Sequence, residues 1–323
     1  DPYYGSIQKL HTLDNNLAIL QENKVSRALI DKDTIYTTES GTQTQAGATV
    51  IGQSVPYVGE YGISDDPESF AVYGYRKYFT DRNRGCVLRL SRDGMTEISN
   101  YGMYDYFRDT LATISNQSQE YVVTNTFQNQ SHTTGGGGAP PPLQPWEPYI
   151  DLANPGGISA PTNIEPGMVI EANGTLLPDD VYVRAIDNFR VYLSAIPPTI
   201  PASATLRFIK YVKDRVIGGW DIHQKNYVIS LQKAKTVENV ISDYSTVSFD
   251  ESVLGWTSFY TYNPNFIGSV KNKFFSFYNG QLWQHYDDIT NNSRGLFYEI
   301  QSNANVTFIL NPNPSVNKNF NTL

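Results

Sequence analysis

The residues of this chain whose types suit catalysis or metal binding are four histidines, one cysteine and three groups of carboxylates. His11, His132, His223 and His285 lie far apart and form no ligand motif such as His-Glu-x-x-His. Surface or internally satisfied histidines are therefore expected. Cys86 stands alone, which excludes an intrachain disulfide, and its neighbours Val87 and Leu88 make it an expected small core residue. Asp65, Asp66 and Glu68 share one stretch, and Asp250-Glu251 and Asp287-Asp288 are adjacent pairs. Two carboxylates flanking a sugar bond can hydrolyse it. Adjacent residues on a strand, however, point to opposite faces, and in loops such pairs form turns and caps.

Other catalytic signatures fail on inspection. Ser91-Arg92-Asp93-Gly94 approaches the aspartate box of sialidases, Ser-x-Asp-x-Gly-x-Thr-Trp, but Gly follows Asp directly and no Trp follows. The run Gly135 to Gly138 lacks the Lys-Ser/Thr ending of a phosphate loop, and no nucleophile elbow or dinucleotide fingerprint occurs. A non-enzymatic chain without cofactor or metal is expected. The sequons at Asn173, Asn291 and Asn305 are expected by chance in an Asn- and Ser-rich chain.

The 323 residues are enough for two or three domains. Charged residues are only 17%, whereas 23 Tyr, 15 Phe and 4 Trp make the chain strongly aromatic, as suits sheets and buried interfaces. The net charge of −8 argues against wrapping nucleic acid. The nearest basic group is Arg76, Lys77, Arg82, Arg84, Arg89 and Arg92, which strand alternation would divide between faces and turns. No run of 18 apolar residues and no signal peptide occurs, so no membrane span is expected. The first residue is Asp, which suits a processed chain or a piece of a longer one.

The elements that must position these residues are mostly strands. Residues 70–99 and 266–286 each read as strand, polar turn, strand, tight turn, strand, with Asp93-Gly94 and Asn279-Gly280 supplying the positive φ of tight hairpins. Repeated meanders build propellers or sandwiches. Residues 1–60 are β-rich, although Leu13, Leu17 and Leu20 also fit helical spacing, and Asp31-Lys32-Asp33 reads as a turn. Residues 40–62, rich in Gly, Thr, Gln and Ser, read as a long loop. One helix is predicted over 101–115, with Met103, Phe107, Leu111 and Ile114 on one face and Ser99 or Asn100 as its cap.

Between the meanders the character changes. Residues 118–167 hold the glycine run, Pro140-Pro141-Pro142 and five further prolines, and read as a linker pinned by Trp146 and Tyr149. Residues 168–213 read as a small inserted β module with four strands, whose size calls for docking or oligomerisation. The expected organisation is a discontinuous β scaffold, 1–117 plus 214–323, interrupted by linker and module. Trp220, Trp256 and Trp283 are expected packing anchors.

Several strings resemble a known family. VSRALIDKDTIYT (25–37), GEYGISDDPESFAVYGYRKYFTDRNRGCVLRLSRDGMTEIS (59–99), GGWDIHQKNYVISLQ (218–232) and SFDESVLGWTSFYTYNPNFIGSVKNKFFSFYNGQLWQHY (248–286) are similar to segments of large virion structural proteins of tailed bacteriophages, including marine and crAss-like phages. YGMYDYFRD (101–109) and NPNPSVNKNFNTL (311–323) belong to the same resemblance, which covers most of the chain outside 116–213. It implies a tail component of ring, nozzle or muzzle type, located in the virion tail. Its partners would be further copies of itself and neighbouring tail proteins, with passive contact to translocating DNA. The family brings no catalytic motif. Two rival readings are a host-glycan adhesin, if the tryptophans line an exposed groove, and a polysaccharide depolymerase using Asp65 or Asp250.

Overall fold

In the computed structural model, residues 2–14, 16–37, 41–115, 117–131, 148–153, 163–201, 203–234, 243–286 and 295–307 are described, with side chains for all of these except 32–49 and 127–131. The protein is all-β; among the described residues there is one α-helix, α1 (Tyr104–Ala112), and no closed barrel. Four antiparallel meanders follow one another along the chain. The first sheet comprises Ile7–Leu13, Asn16–Gln21, Val25–Thr37 and Gly41–Pro56. The second comprises Ala71–Tyr73, Arg76–Asp81, Cys86–Ser91 and Gly94–Glu97. The third holds Arg215–Asp221, Asn226–Gln232, Tyr244–Asp250 and Gly255–Tyr260, and the fourth Phe266–Val270, Lys273–Tyr278 and Gln281–Gln284.

Each meander packs face-on against the next, because the central strands are apolar on both sides. Alternation along a strand sends successive residues to opposite faces. Phe79 and Leu88 of the second sheet join Leu20 and Val25 of the first in one core. Their neighbours Tyr78 and Val87 point the other way, into a core with Trp220, Tyr227 and Ile229 of the third sheet. Val228 in turn faces Ile267 and Phe274 of the fourth. Strand Asn226–Gln232 is buried over six consecutive residues for this reason.

Tight turns fall where their residues permit. Asn279 (φ 48°) and Gly280 (φ 74°) link the paired residues Tyr278 and Gln281 in the two-residue geometry that needs positive φ twice. Helix α1 is shorter than expected. Residues Ile98–Asn100 form a separate 3₁₀ turn, and the Ser99 hydroxyl accepts the Val87 N–H rather than capping the helix. Its Phe107 and Leu111, with Ile114 just beyond its end, are buried between the second and third sheets.

Two expectations are corrected, and one open alternative is decided in favour of the β-rich reading. Residues 40–62 are not one long loop: Gly41–Pro56 is a 16-residue strand paired with Val25–Thr37. The turn expected at Asp31 is an irregularity inside the latter strand, with Asp31 at φ 53°. The helical spacing of Leu13, Leu17 and Leu20 belongs to two strands that pair from Ile7↔Gln21 to Leu13↔Asn16. The outer half of the first sheet is a two-stranded ribbon, since Asn16–Gln21 reaches along its neighbour only to Leu29.

The stretch 118–167 is likewise more than a linker. Gln119–Ser131 is the middle strand of a seven-stranded sheet, paired with Thr205–Val212 on one side and Tyr149–Leu152 on the other. The sheet continues through Val169–Ala172 and Thr175–Leu176 at one end, and Arg190–Leu193 and Val183–Asp187 at the other. It curls until Val169 bridges Tyr182. Its own core holds Ile150, Leu152, Met168, Ile170, Val191, Leu206 and Phe208, all fully buried. Two strands from the expected linker thus supply the apolar mass that 45 residues alone would lack. The glycine run and Pro140 to Pro142 lie outside the described residues.

Candidate functional site

The expected basic group is neutralised side chain by side chain. Glu251 accepts Arg89 at 2.8 Å, Arg76 at 3.3 Å and the Tyr78 hydroxyl at 2.6 Å. Arg84 meets the buried Asp81 at 3.0 Å, and Arg82 lies 3.7 Å from Asp66. Arg92 reaches Asp14 at 3.5 Å while its guanidinium covers Tyr75, 3.6 Å from the ring centre. Lys77 is buried, which lowers its pKa. A phosphate-binding stripe needs cations free to face solvent; the five arginines are paired with carboxylates, and Lys77 is buried.

The carboxylate groups have local duties. Asp65 bonds Gln8 and pairs with Arg82, whereas Asp250 accepts both the N–H and hydroxyl of Ser252, holding a turn. Asp66 is buried, and desolvation, only partly countered by Arg82, raises its pKa to about 6. Asp287 and Asp288 lie outside the described residues. Among the described residues, no three His, Cys, Asp or Glu side chains converge to hold a metal. Cys86 is buried between the first two sheets, and desolvation pushes its thiol up.

His11 bonds the Thr12 carbonyl, and His223 stacks on Tyr286, whose hydroxyl donates to the buried Asp221 at 2.6 Å. His132 lies outside the described residues. His285 reveals a cluster that its sequence position did not signal: its Nε2 lies 2.7 Å from Ser276 Oγ, which also meets the Tyr298 hydroxyl at 2.8 Å. A serine beside a histidine is the start of a nucleophilic site. Ser276, however, is fully buried, and desolvation lowers His285 to about 4, so the pair is a packed polar contact of the fourth sheet. The only advance hint is the inward alternation of Phe274 and Ser276 along their strand.

The aromatic residues occupy different settings. Trp256 donates to the Ile98 carbonyl at 3.1 Å and packs on Phe107 and Phe249. Trp283 is half-buried in the fourth sheet, 5.4 Å from Tyr298, with its buried indole N–H lacking an acceptor. Tyr149 lies in the inserted sheet beneath Arg190, whose guanidinium is 3.9 Å from its ring centre. Trp146 lies outside the described residues. Trp220 is sandwiched between Tyr73 (4.2 Å, 10°) and Tyr78 (5.3 Å, 22°).

Trp220 also forms part of a cleft of about 770 Å³ where edge strands of the second, third and fourth sheets meet. Glycine allows these sheets to approach. A Cβ on Gly218 would stand 1.9 Å from the Ser69 carbonyl oxygen, and one on Gly219 would stand 2.4 Å from Ile267. The cleft wall is stiffened by Glu68, which grips Arg215 with both oxygens at 2.9 and 3.0 Å. Phe266 projects at the mouth, 57% exposed.

No helix is long and apolar enough to cross a membrane among the described residues. No protein-family model matches the chain, and no curated protein is similar to it in sequence.

Proposed function

We propose that this chain is a non-enzymatic structural subunit of a tailed-phage virion, assembled with further copies of itself in the tail. The observation that carries the reading is the outer strand of the first sheet. Gly41–Pro56 contains no charged residue, runs for 16 residues, and has no strand along its outer side among the described residues. Val50 on it is 71% exposed. Edges of this kind pair with other chains, and proteins that stay apart blunt them with charge, proline or short length. Neither charge nor, before Pro56, proline appears here; the register with Val25–Thr37 shifts on either side of Ile51, and the regular stretch Gly41–Ala46 is the part that suits strand addition from a neighbouring copy.

The virion assignment rests on the family-like strings, and the sheet stack is compatible with it. Successive meanders packed face to face form a rigid body of propeller-like or sandwich type, and a curled insert carried on that body can bridge neighbours. Neutralised arginines and net acidity leave little for DNA to hold, which suits passive passage. The test is cryo-electron microscopy of the particle with the chain located in the map. A symmetric ring on the tail axis supports the reading. Absence from the particle, or a peripheral spike, contradicts it.

A further inference from the structure

We propose that the cleft between the second, third and fourth sheets binds a saccharide ring that carries a carboxylate. Its volume of about 770 Å³ falls within the size range of small-molecule sites. Its surfaces are aromatic and flat: Tyr73 lies on Trp220 and stays partly exposed, and Phe266 stands open at the mouth. Ring faces of this kind suit the C–H face of a sugar, which is apolar although its rim is polar.

The charge left unpaired at the cleft is a cation. Lys9, from the first sheet, has its ammonium 5.6 Å from the Phe70 ring centre and no carboxylate partner among the described residues. The Trp220 indole N–H also lacks an acceptor, but it is fully covered and offers nothing to an occupant. Arg215 is already held by Glu68 and the Asn265 carbonyl, so Lys9 is the cation left for a ligand. An occupant must therefore bring acceptors and negative charge on a ring-shaped body. This inference does not depend on the assembly reading.

The experiment is isothermal titration of the intact protein with a hyaluronan hexasaccharide, with 3′-sialyllactose, and with neutral maltohexaose. At least one acidic sugar binds with a Kd of about 1 mM or tighter, and maltohexaose binds at least about tenfold more weakly. Lys9→Gln, an exchange on a half-exposed side chain, weakens acidic-sugar binding about tenfold, and Tyr73→Ala weakens it similarly while circular dichroism stays unchanged. No binding of either acidic sugar overturns the proposal. So does equal binding of the neutral sugar, or unaltered affinity in Lys9→Gln.

Discussion

The backbone N–H of Ser115 donates to a carboxylate oxygen of Asp214 at 2.8 Å, joining residues 99 positions apart. The other oxygen of Asp214 accepts the N–H of Ala234 at 2.8 Å. One side chain therefore ties the point where the chain leaves the scaffold to the point where it returns, and both to the end of a third-sheet strand. This is how a large insert can interrupt a stack of sheets without prising it open: its two ends are already neighbours. Asp214→Ala leaves two donors unsatisfied and should cost about 1–2 kcal/mol, read by urea denaturation. Asp214→Asn keeps one acceptor and should lose less.

The glycine pair at the cleft tests the sheet stacking. Gly218→Ala places a methyl group where the Ser69 carbonyl oxygen now sits, so a backbone must move. A loss of about 3 kcal/mol or more is expected, at the high end of overpacking costs. Gly94→Ala has open space around its Cβ and meets only its positive φ of 110°. It should cost about 1–2 kcal/mol. Equal losses at the two positions would refute the close approach.

Glu251 links the second sheet to the third through Tyr78, Arg76 and Arg89. The Arg89 side chain is 15% exposed, so Glu251→Ala strands a largely buried cation. The expected loss is about 3 kcal/mol, toward the low end for a broken buried pair because the site keeps some solvent. Glu251→Gln preserves the acceptor for Tyr78 and should lose less. Thermal unfolding of the two variants separates charge from hydrogen bonding.

Two groups should act on stability in opposite directions across the same pH window. Burial raises Asp66 from 3.8 to about 6, so the folded state holds this proton more tightly, and stability falls as pH rises from about 4 to 6. Burial lowers His285 from 6.5 to about 4, so the unfolded state takes this proton first, and stability falls as pH drops from about 6.5 to 4. Each contribution is at most about 3 kcal/mol. Asp66→Asn should therefore steepen the rise of stability between pH 4 and 6, and His285→Gln should flatten or reverse it. Chemical denaturation at half-unit pH steps reads both slopes.

Much of the scaffold was legible because its signals are local. Asn279-Gly280 announces its turn, and the strand-turn-strand pattern of residues 70–99 announces its meander, whereas the burial of Arg76–Asp81 on both faces is set by the sheets on either side. The long strand 41–56 was hidden because Thr, Gln and Gly read as loop, while its partner begins at Val25 and sets its register from across the hairpin. The strand 119–131 was hidden for a similar reason. Its polar residues belong to a sheet completed about 80 positions later by Thr205–Val212, a partner that local pattern cannot reveal. The cleft depends on three sheet edges converging, and Lys9, Tyr73, Trp220 and Phe266 carry no mutual spacing signal. The Ser276–His285 contact arises in the same way, from strands paired in register rather than from a motif.

The most direct test of the assembly reading is the mass of the intact protein in solution, measured by sedimentation velocity beside a variant carrying Val50→Lys and Thr44→Lys on the uncharged edge. A closed oligomer for the parent and a folded monomer for the variant is the predicted result. A monomeric parent at tens of micromolar, or an oligomer indifferent to the two lysines, would contradict strand addition at that edge.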